Sequence, residues 1–209
     1  MSHRGKTSPF LTKTLAVMVA IATLVPVLPA QAAPEPPFEI TFPQEAAPTV
    51  FSSSFGAGRS GGRRHTGNDL MAPKMTEVYA AADGIITVID TSSLAGRYVE
   101  IAHQDRWSTR YIHLNNDDPG TDNGSADWAL TVVPGLRVGS RVEAGEHIGY
   151  VGDSGNAEWA GSHTHFEIAH EGGAIDPHDY LKAAYARAVE LESHVTRVIV
   201  RPGEANHVS

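Results

Sequence analysis

A mainly β fold is what this 209-residue sequence predicts: a single antiparallel β-sheet with a barrel- or sandwich-like core, followed by a C-terminal helix. Three observations carry that expectation. Twenty Gly and 13 Pro supply more turns than a helical domain uses. From Val50 onward, short apolar or alternating runs are broken repeatedly by turn signals. After Asp176-Pro177 the apolar period changes from strand-like to helical.

The elements follow in order. Residues 1–32 read as an export signal. Arg4, Lys6 and Lys13 precede an apolar run from Leu15 to Leu28, and Ala30-Gln31-Ala32 has the small-x-small pattern of a cleavage site. That run is shorter than the roughly 20 residues of a membrane-spanning helix, so the mature chain is expected to be exported and free of the membrane. Residues 33–49, with Pro34, Pro36, Pro37, Pro43 and Pro48, read as a Pro-rich linker or an edge segment. Residues 50–182 form the expected main domain, and 183–209 a C-terminal helix and tail.

Within that domain, Val78–Ala81 and Ile85–Ile89 flank Asp83-Gly84 and read as a hairpin. Tyr98–Ala102 and Ser108–Leu114 form the next expected pair. Arg141–Glu143 and His147–Val151 are expected to pair around Ala144-Gly145-Glu146. Thr164, Phe166 and Ile168 alternate with His163, His165 and Glu167, the two-residue period of a half-buried strand. Residues 115–136 read as a long exposed loop. The closing helix carries Leu181, Ala184, Tyr185, Ala188, Leu191 and Val195 on one face, with Asp176 as its cap and Pro177 in its first turn.

Composition narrows the function. Cysteine is absent, which excludes disulfides, thiolate catalysis and sulfur-ligated metals. Residues 1–32 hold three basic residues and no acidic one, so removing them moves the formal charge from −8 to −11. Nucleic acid and anionic membrane are therefore not expected partners.

Histidine is where the chemistry gathers. His65-Thr66-Gly67-Asn68-Asp69 places an imidazole and a carboxylate four apart on a Gly-rich loop, a good pair of zinc ligands. His163-Thr164-His165 puts two imidazoles on one face of a strand. Tyr111-Ile112-His113 is read as repeating that geometry on a second strand. A catalytic metal needs three protein ligands, an open position and nearby groups to handle protons, and this set is large enough to supply them.

In this order the motifs resemble the lysostaphin/LytM-type zinc endopeptidases, whose pattern is His-x-x-x-Asp, then Tyr-x-His-Leu, then His-x-His-Phe-Glu. The likeness runs from about Phe51 to Leu181 and includes Val78–Gly84, Gly145–Gly149 and Asp176-Pro177. Ser162 and Thr164 stand where that family usually has Pro and Leu. The resemblance implies that His65, Asp69 and His165 hold Zn2+, while His113 and His163 flank the attacking water. It further implies a LytM-type β core with a substrate groove, and hydrolysis of peptides in peptidoglycan outside the cytoplasm. Acidic residues Asp117, Asp118, Asp122 and Asp127, with Trp128, suggest contact with a basic diamino acid, favouring a D-alanyl–diamino-acid cross-link over a pentaglycine bridge.

Other motifs fail on context. Gly56–Gly61 matches a dinucleotide fingerprint and Gly58–Gly62 a nucleophile elbow, but no helical pattern follows either. Gly152-Asp153-Ser154-Gly155 has the look of a serine nucleophile without matching partners. His103, His147, His170, His178 and His194 read as turn, surface or helix-face residues. Glu167 reads equally as a group orienting a ligand or as a salt-bridge partner. The rival to an enzyme is a catalytically silent relative that activates or scaffolds other wall hydrolases, and the complete ligand set argues against it.

Overall fold

A computed structural model describes residues 34–199 of the chain. The expected export signal at 1–32 and the tail at 200–209 lie outside the described residues.

The described residues form two β-sheets, one α-helix and four single-turn 3-10 helices. In chain order the strands are β1 (Asn68–Met71), β2 (Glu77–Tyr79), β3 (Gly84–Ser92), β4 (Gly96–Ala102) and β5 (Trp107–Leu114). They continue as β6 (Arg141–Val142), β7 (His147–Tyr150), β8 (His163–His170) and β9 (Gly173–Ile175), before helix α1 (His178–Ile199). The main sheet is antiparallel throughout, in the order β1-β8-β5-β4-β3-β6, with β9 continuing the β1 edge along the second half of β8. β2 and β7 form a separate two-stranded sheet.

The core lies on one face of the main sheet. There Leu70, Ile86, Val99, Ile101, Tyr111, Phe166 and Ile168 pack against Val78 and Ile148 of the small sheet, and against Leu181 and Ala184 of α1. On β8 the alternation is clean: Thr164, Phe166 and Ile168 enter this core, leaving His163, His165 and Glu167 on the opposite face. The Asp176 carboxylate caps α1 by accepting from the His178 backbone N–H at 2.9 Å.

Several local expectations change. The Val78–Ala81/Ile85–Ile89 hairpin does not form, because the backbone around Ala80 and Ala81 is already engaged. Ala80 exchanges hydrogen bonds with Gly145 and Glu146, Ala81 accepts from Thr41 at 2.7 Å, and the Ala81 N–H donates to the Tyr111 hydroxyl at 2.7 Å. The turn at Ala144–Glu146 exists, but its two arms diverge, β6 to β3 and β7 to β2. Residues 38–49 take the edge-segment alternative: Ile40, Phe42 and Ala46 are core residues, and Gln44 bridges to Val78. Helix α1 spans the expected boundary at 182/183, and its Leu191 is exposed.

The segment 115–136 is partly internal. Asn115, Asp117 and Thr131 are buried, and the Arg97 guanidinium donates to the Thr131 hydroxyl and the Ala126 carbonyl while lying 4.7 Å from the Trp128 ring centre. Asp117 and Asp122 bind Lys74, and Asp127 accepts from the Ala129 N–H. These acids are committed to the fold.

Candidate active site

Four histidines and one aspartate converge on the outer face of β1, β8 and β5. Cross-strand register does the first part: Asp69 on β1 lies directly opposite His165 on β8, which in turn pairs with Ile112 on β5. His65 arrives from the loop before β1. That approach requires Gly67, where a Cβ would run into the Phe166 backbone carbonyl.

His113 reaches the site by a different route from the one its spacing suggests. Regular alternation would keep it on the core side with Tyr111. Instead β5 carries an extra residue against β4, where Arg97 pairs with Leu114 but Val99 pairs with Tyr111. His113 sits in this bulge at φ 66°, a left-handed conformation uncommon outside glycine, which turns its ring toward His163.

Each imidazole is held through one ring nitrogen, leaving the other directed into the site. His65 Nδ1 donates to the Ser54 carbonyl at 3.0 Å, His113 Nδ1 to the Ser154 carbonyl at 2.8 Å, and His163 Nδ1 to the Gly161 carbonyl at 2.8 Å. His165 Nε2 donates to Glu167 Oε1 at 3.0 Å. Glu167 also accepts from the Thr66 hydroxyl and pairs with Arg110 at 3.5 Å, so it both orients His165 and forms a salt bridge. These acceptors fix the tautomers, as the partners of metal-ligating histidines do.

Three ligand atoms then face one another. His65 Nε2 lies 2.9 Å from Asp69 Oδ1 and 2.8 Å from His165 Nδ1, which is itself 2.9 Å from Asp69 Oδ1. With the opposite ring nitrogens spent as donors, two imidazole lone pairs and a carboxylate oxygen crowd a single point. Only positive charge relieves that crowding. The electrostatics agree: burial opposes charge on both partners, yet hydrogen bonding carries His165 above its ordinary pKa and Asp69 far below its own. A nitrogen/oxygen set of this kind suits a zinc-sized divalent cation, and Asp117, Asp122 and Glu158 form the other acidic group near enough together to hold one among the described residues. Beside the triad, His163 Nε2 stands 3.8 Å from Asp69 Oδ1, and the His113 and His163 ring centres are 5.0 Å apart. Burial, reinforced by His163, pushes His113 down to about 4, and burial also lowers His163. Both are neutral near pH 7, able to accept a proton.

These groups line a groove of about 710 Å³ together with Arg59, Arg63, Arg64, Leu94, Asn156 and Ala160. All five histidine and aspartate residues singled out in the sequence meet here. The remaining described histidines do not: His103 is bound between the Asp83 carbonyl and Thr109, and His170 packs on Trp107. Sequence reading missed Arg59, whose Nη2 holds Asp69 Oδ2 at 2.6 Å, and the three backbone carbonyls that anchor the histidines. Arg59 lies inside the Gly-rich run set aside as a failed nucleotide motif, and carbonyl acceptors leave no mark in side-chain identity.

Residues 63–124 and 129–177 match peptidase family M23, more than half of the chain. The peptidoglycan DD-endopeptidase ShyA of Vibrio cholerae is 30% identical over 112 residues, 54% of this chain and 22% of the relative. The DD-carboxypeptidase/endopeptidase Mpg of Neisseria meningitidis is 33% identical over 115 residues, 55% of this chain and 22% of the relative. The matched region thus spans about a fifth of each of these longer proteins. Among solved structures, a zinc-containing peptidase from Vibrio cholerae superposes with a TM-score of 0.53 at 25% identity, covering 66% of this chain and 39% of that one. The catalytic domain of lysostaphin from Staphylococcus simulans shares the fold, with a TM-score of 0.51 at 23% identity over 66% of this chain and 98% of that one. The antiparallel sheet, the converging histidines and a family match running through all of them lead to one conclusion: the chain belongs to peptidase family M23.

Proposed function

We propose that this protein is an exported zinc endopeptidase that hydrolyses peptide bonds in peptidoglycan. The observation that carries the reading is the triad of His65, Asp69 and His165, whose ligand atoms crowd one point beside two further tethered imidazoles. In this reading those three residues hold the zinc, which supplies Lewis acidity toward water and the scissile carbonyl. His113 and His163 take the proton from the attacking water and return one to the leaving amine, as neutral imidazoles with Nε2 exposed to the groove. Their Nδ1 tethers keep both rings fixed while that happens. The groove beside them accepts an extended peptide.

Peptidoglycan as substrate is supported by the relatives, named as peptidoglycan DD-endopeptidases and a DD-carboxypeptidase/endopeptidase. Export is supported by the basic, then apolar, then Ala-Gln-Ala pattern of residues 1–32. A silent activator would not need His113 and His163 held beside an intact triad. The test is solubilisation of purified peptidoglycan by the mature protein, with and without a chelator, followed by zinc readdition. Zinc-restored release supports the reading; release that a chelator leaves untouched, or none from zinc-loaded protein, refutes it.

A further inference from the structure

The geometry points to Arg63 and Arg64 as a carboxylate-reading pair that selects peptides bearing a free carboxylate next to the scissile bond. This rests on the peptidase reading above and adds the chemistry of the substrate. Residues 56–65 form a tight hairpin, with Gly58 bridged to Arg64, Arg59 N–H bonded to the Arg63 carbonyl at 2.9 Å, and Gly61 and Gly62 in the left-handed region at its tip. The hairpin ends in His65, so whatever it presents stands at the edge of the zinc triad.

Charge within the groove is unevenly spent. Its acids are already engaged: Asp69 by Arg59 at 2.6 Å, and Glu167 by Arg110 at 3.5 Å and by His165. Arg63 and Arg64 line the same groove, and neither pairs with a carboxylate among the described residues. Their bonds are to neutral acceptors. Arg63 donates from Nε to the Ser60 carbonyl at 3.2 Å and from Nη2 to the Ser60 hydroxyl at 3.3 Å, and Arg64 donates from Nη1 to the Gly56 carbonyl at 2.9 Å. These contacts hold the guanidiniums in place and leave most of their five N–H donors free, the planar fork that suits a carboxylate. On a chain of net charge −8, two uncompensated cations beside a metal site form a local positive field.

A stem peptide whose diamino acid is dicarboxylic offers such a carboxylate unless it is amidated; a diamino monocarboxylic residue spends its one carboxyl in the chain, and a glycine bridge carries none along its length. In the 115–136 loop, Asp117 and Asp122 are already bound to Lys74, so their charge is spent within the fold.

The test uses two synthetic peptides spanning a D-alanyl–diamino-acid bond, identical except for a free carboxylate or a carboxamide on the diamino acid. Binding by calorimetry and cleavage by chromatography are measured in parallel for the mature zinc-loaded protein and for Arg63→Gln and Arg64→Gln. The carboxylate form should bind more tightly by about fivefold for each guanidinium engaged, and each variant should lose its share of that preference. Equal affinity for the two forms, absence of binding to either, or a preference surviving in both variants overturns the inference. Preferential binding without cleavage supports it while counting against the peptidase reading.

Discussion

Lys74 is a single side chain on which two parts of the site's support depend. Its ammonium reaches Asp117 at 2.7 Å, Asp122 at 2.6 Å and Asp153 at 2.9 Å, tying the 115–136 segment to the strand exit before β8. Asp117 and Asp153 are 2% and 7% exposed, so Lys74→Met would keep the aliphatic stem and leave two buried carboxylates facing each other without a cation. Neutralising one instead costs at most about 4 kcal/mol at pH 7 for an ordinary Asp pKa of about 3.9. Lys74 is itself 27% exposed, so water entering its place offsets part of this. The expected loss is about 2–4 kcal/mol, which in a chain of this size lowers Tm by roughly 5–15 °C. Activity should fall too, because Ser154 follows Asp153 and its carbonyl anchors His113. Urea unfolding of the wild type, Lys74→Met and Lys74→Met/Asp153→Asn measures the effect, and the double variant should recover part of the loss. A change within about 0.5 kcal/mol for Lys74→Met, the range of an ordinary surface substitution, would mean that the buried carboxylates do not depend on its ammonium.

His65→Ala, Asp69→Ala and His165→Ala should each bind far less zinc than the roughly one ion per chain expected of the wild type, measured by elemental analysis. His113→Ala and His163→Ala should retain zinc yet lose about 100- to 10,000-fold in activity; near-full activity in both would contradict their roles. Gly67→Ala forces a Cβ against the Phe166 carbonyl and should destabilise by about 1–3 kcal/mol in denaturant melts, with zinc affinity falling alongside. Burial opposes the Asp117 charge, but the Lys74 hydrogen bond outweighs it and lowers the folded pKa. Its contribution is therefore present above about pH 4 and lost as pH falls further, so the stability gap between wild type and Asp117→Asn should narrow from about pH 4 downward.

What could be read from the sequence was whatever depended on local period or on side-chain chemistry. His163 and His165 share a face because β8 is regular and its alternate residues fill the core, so the two-residue period decided their direction. The β4–β5 pair was legible for the same reason, with its turn at 103–106. The failures share a cause in non-local competition. The chain only bends at 81–83 before Gly84 enters β3, and Thr41, Tyr111 and Gly145–Glu146, distant in sequence, take the backbone groups that a local hairpin would have used. Prolines left residues 33–49 open between a linker and an edge segment, and the burial of Ile40 and Phe42 agrees with the edge segment. His113 points into the site only through a bulge, and an inserted residue in a ladder has no signature in one strand alone.

Mass spectrometry of the fragments that zinc-loaded mature protein releases from purified, cross-linked peptidoglycan would show whether this chain cuts peptide bonds in the wall. New peptide amino and carboxyl termini should appear at one defined bond, with glycan strands intact, and should be missing for His163→Ala at full zinc content. Intact peptides from wild type with zinc bound, or fragments arising from glycan cleavage, would contradict the proposed activity.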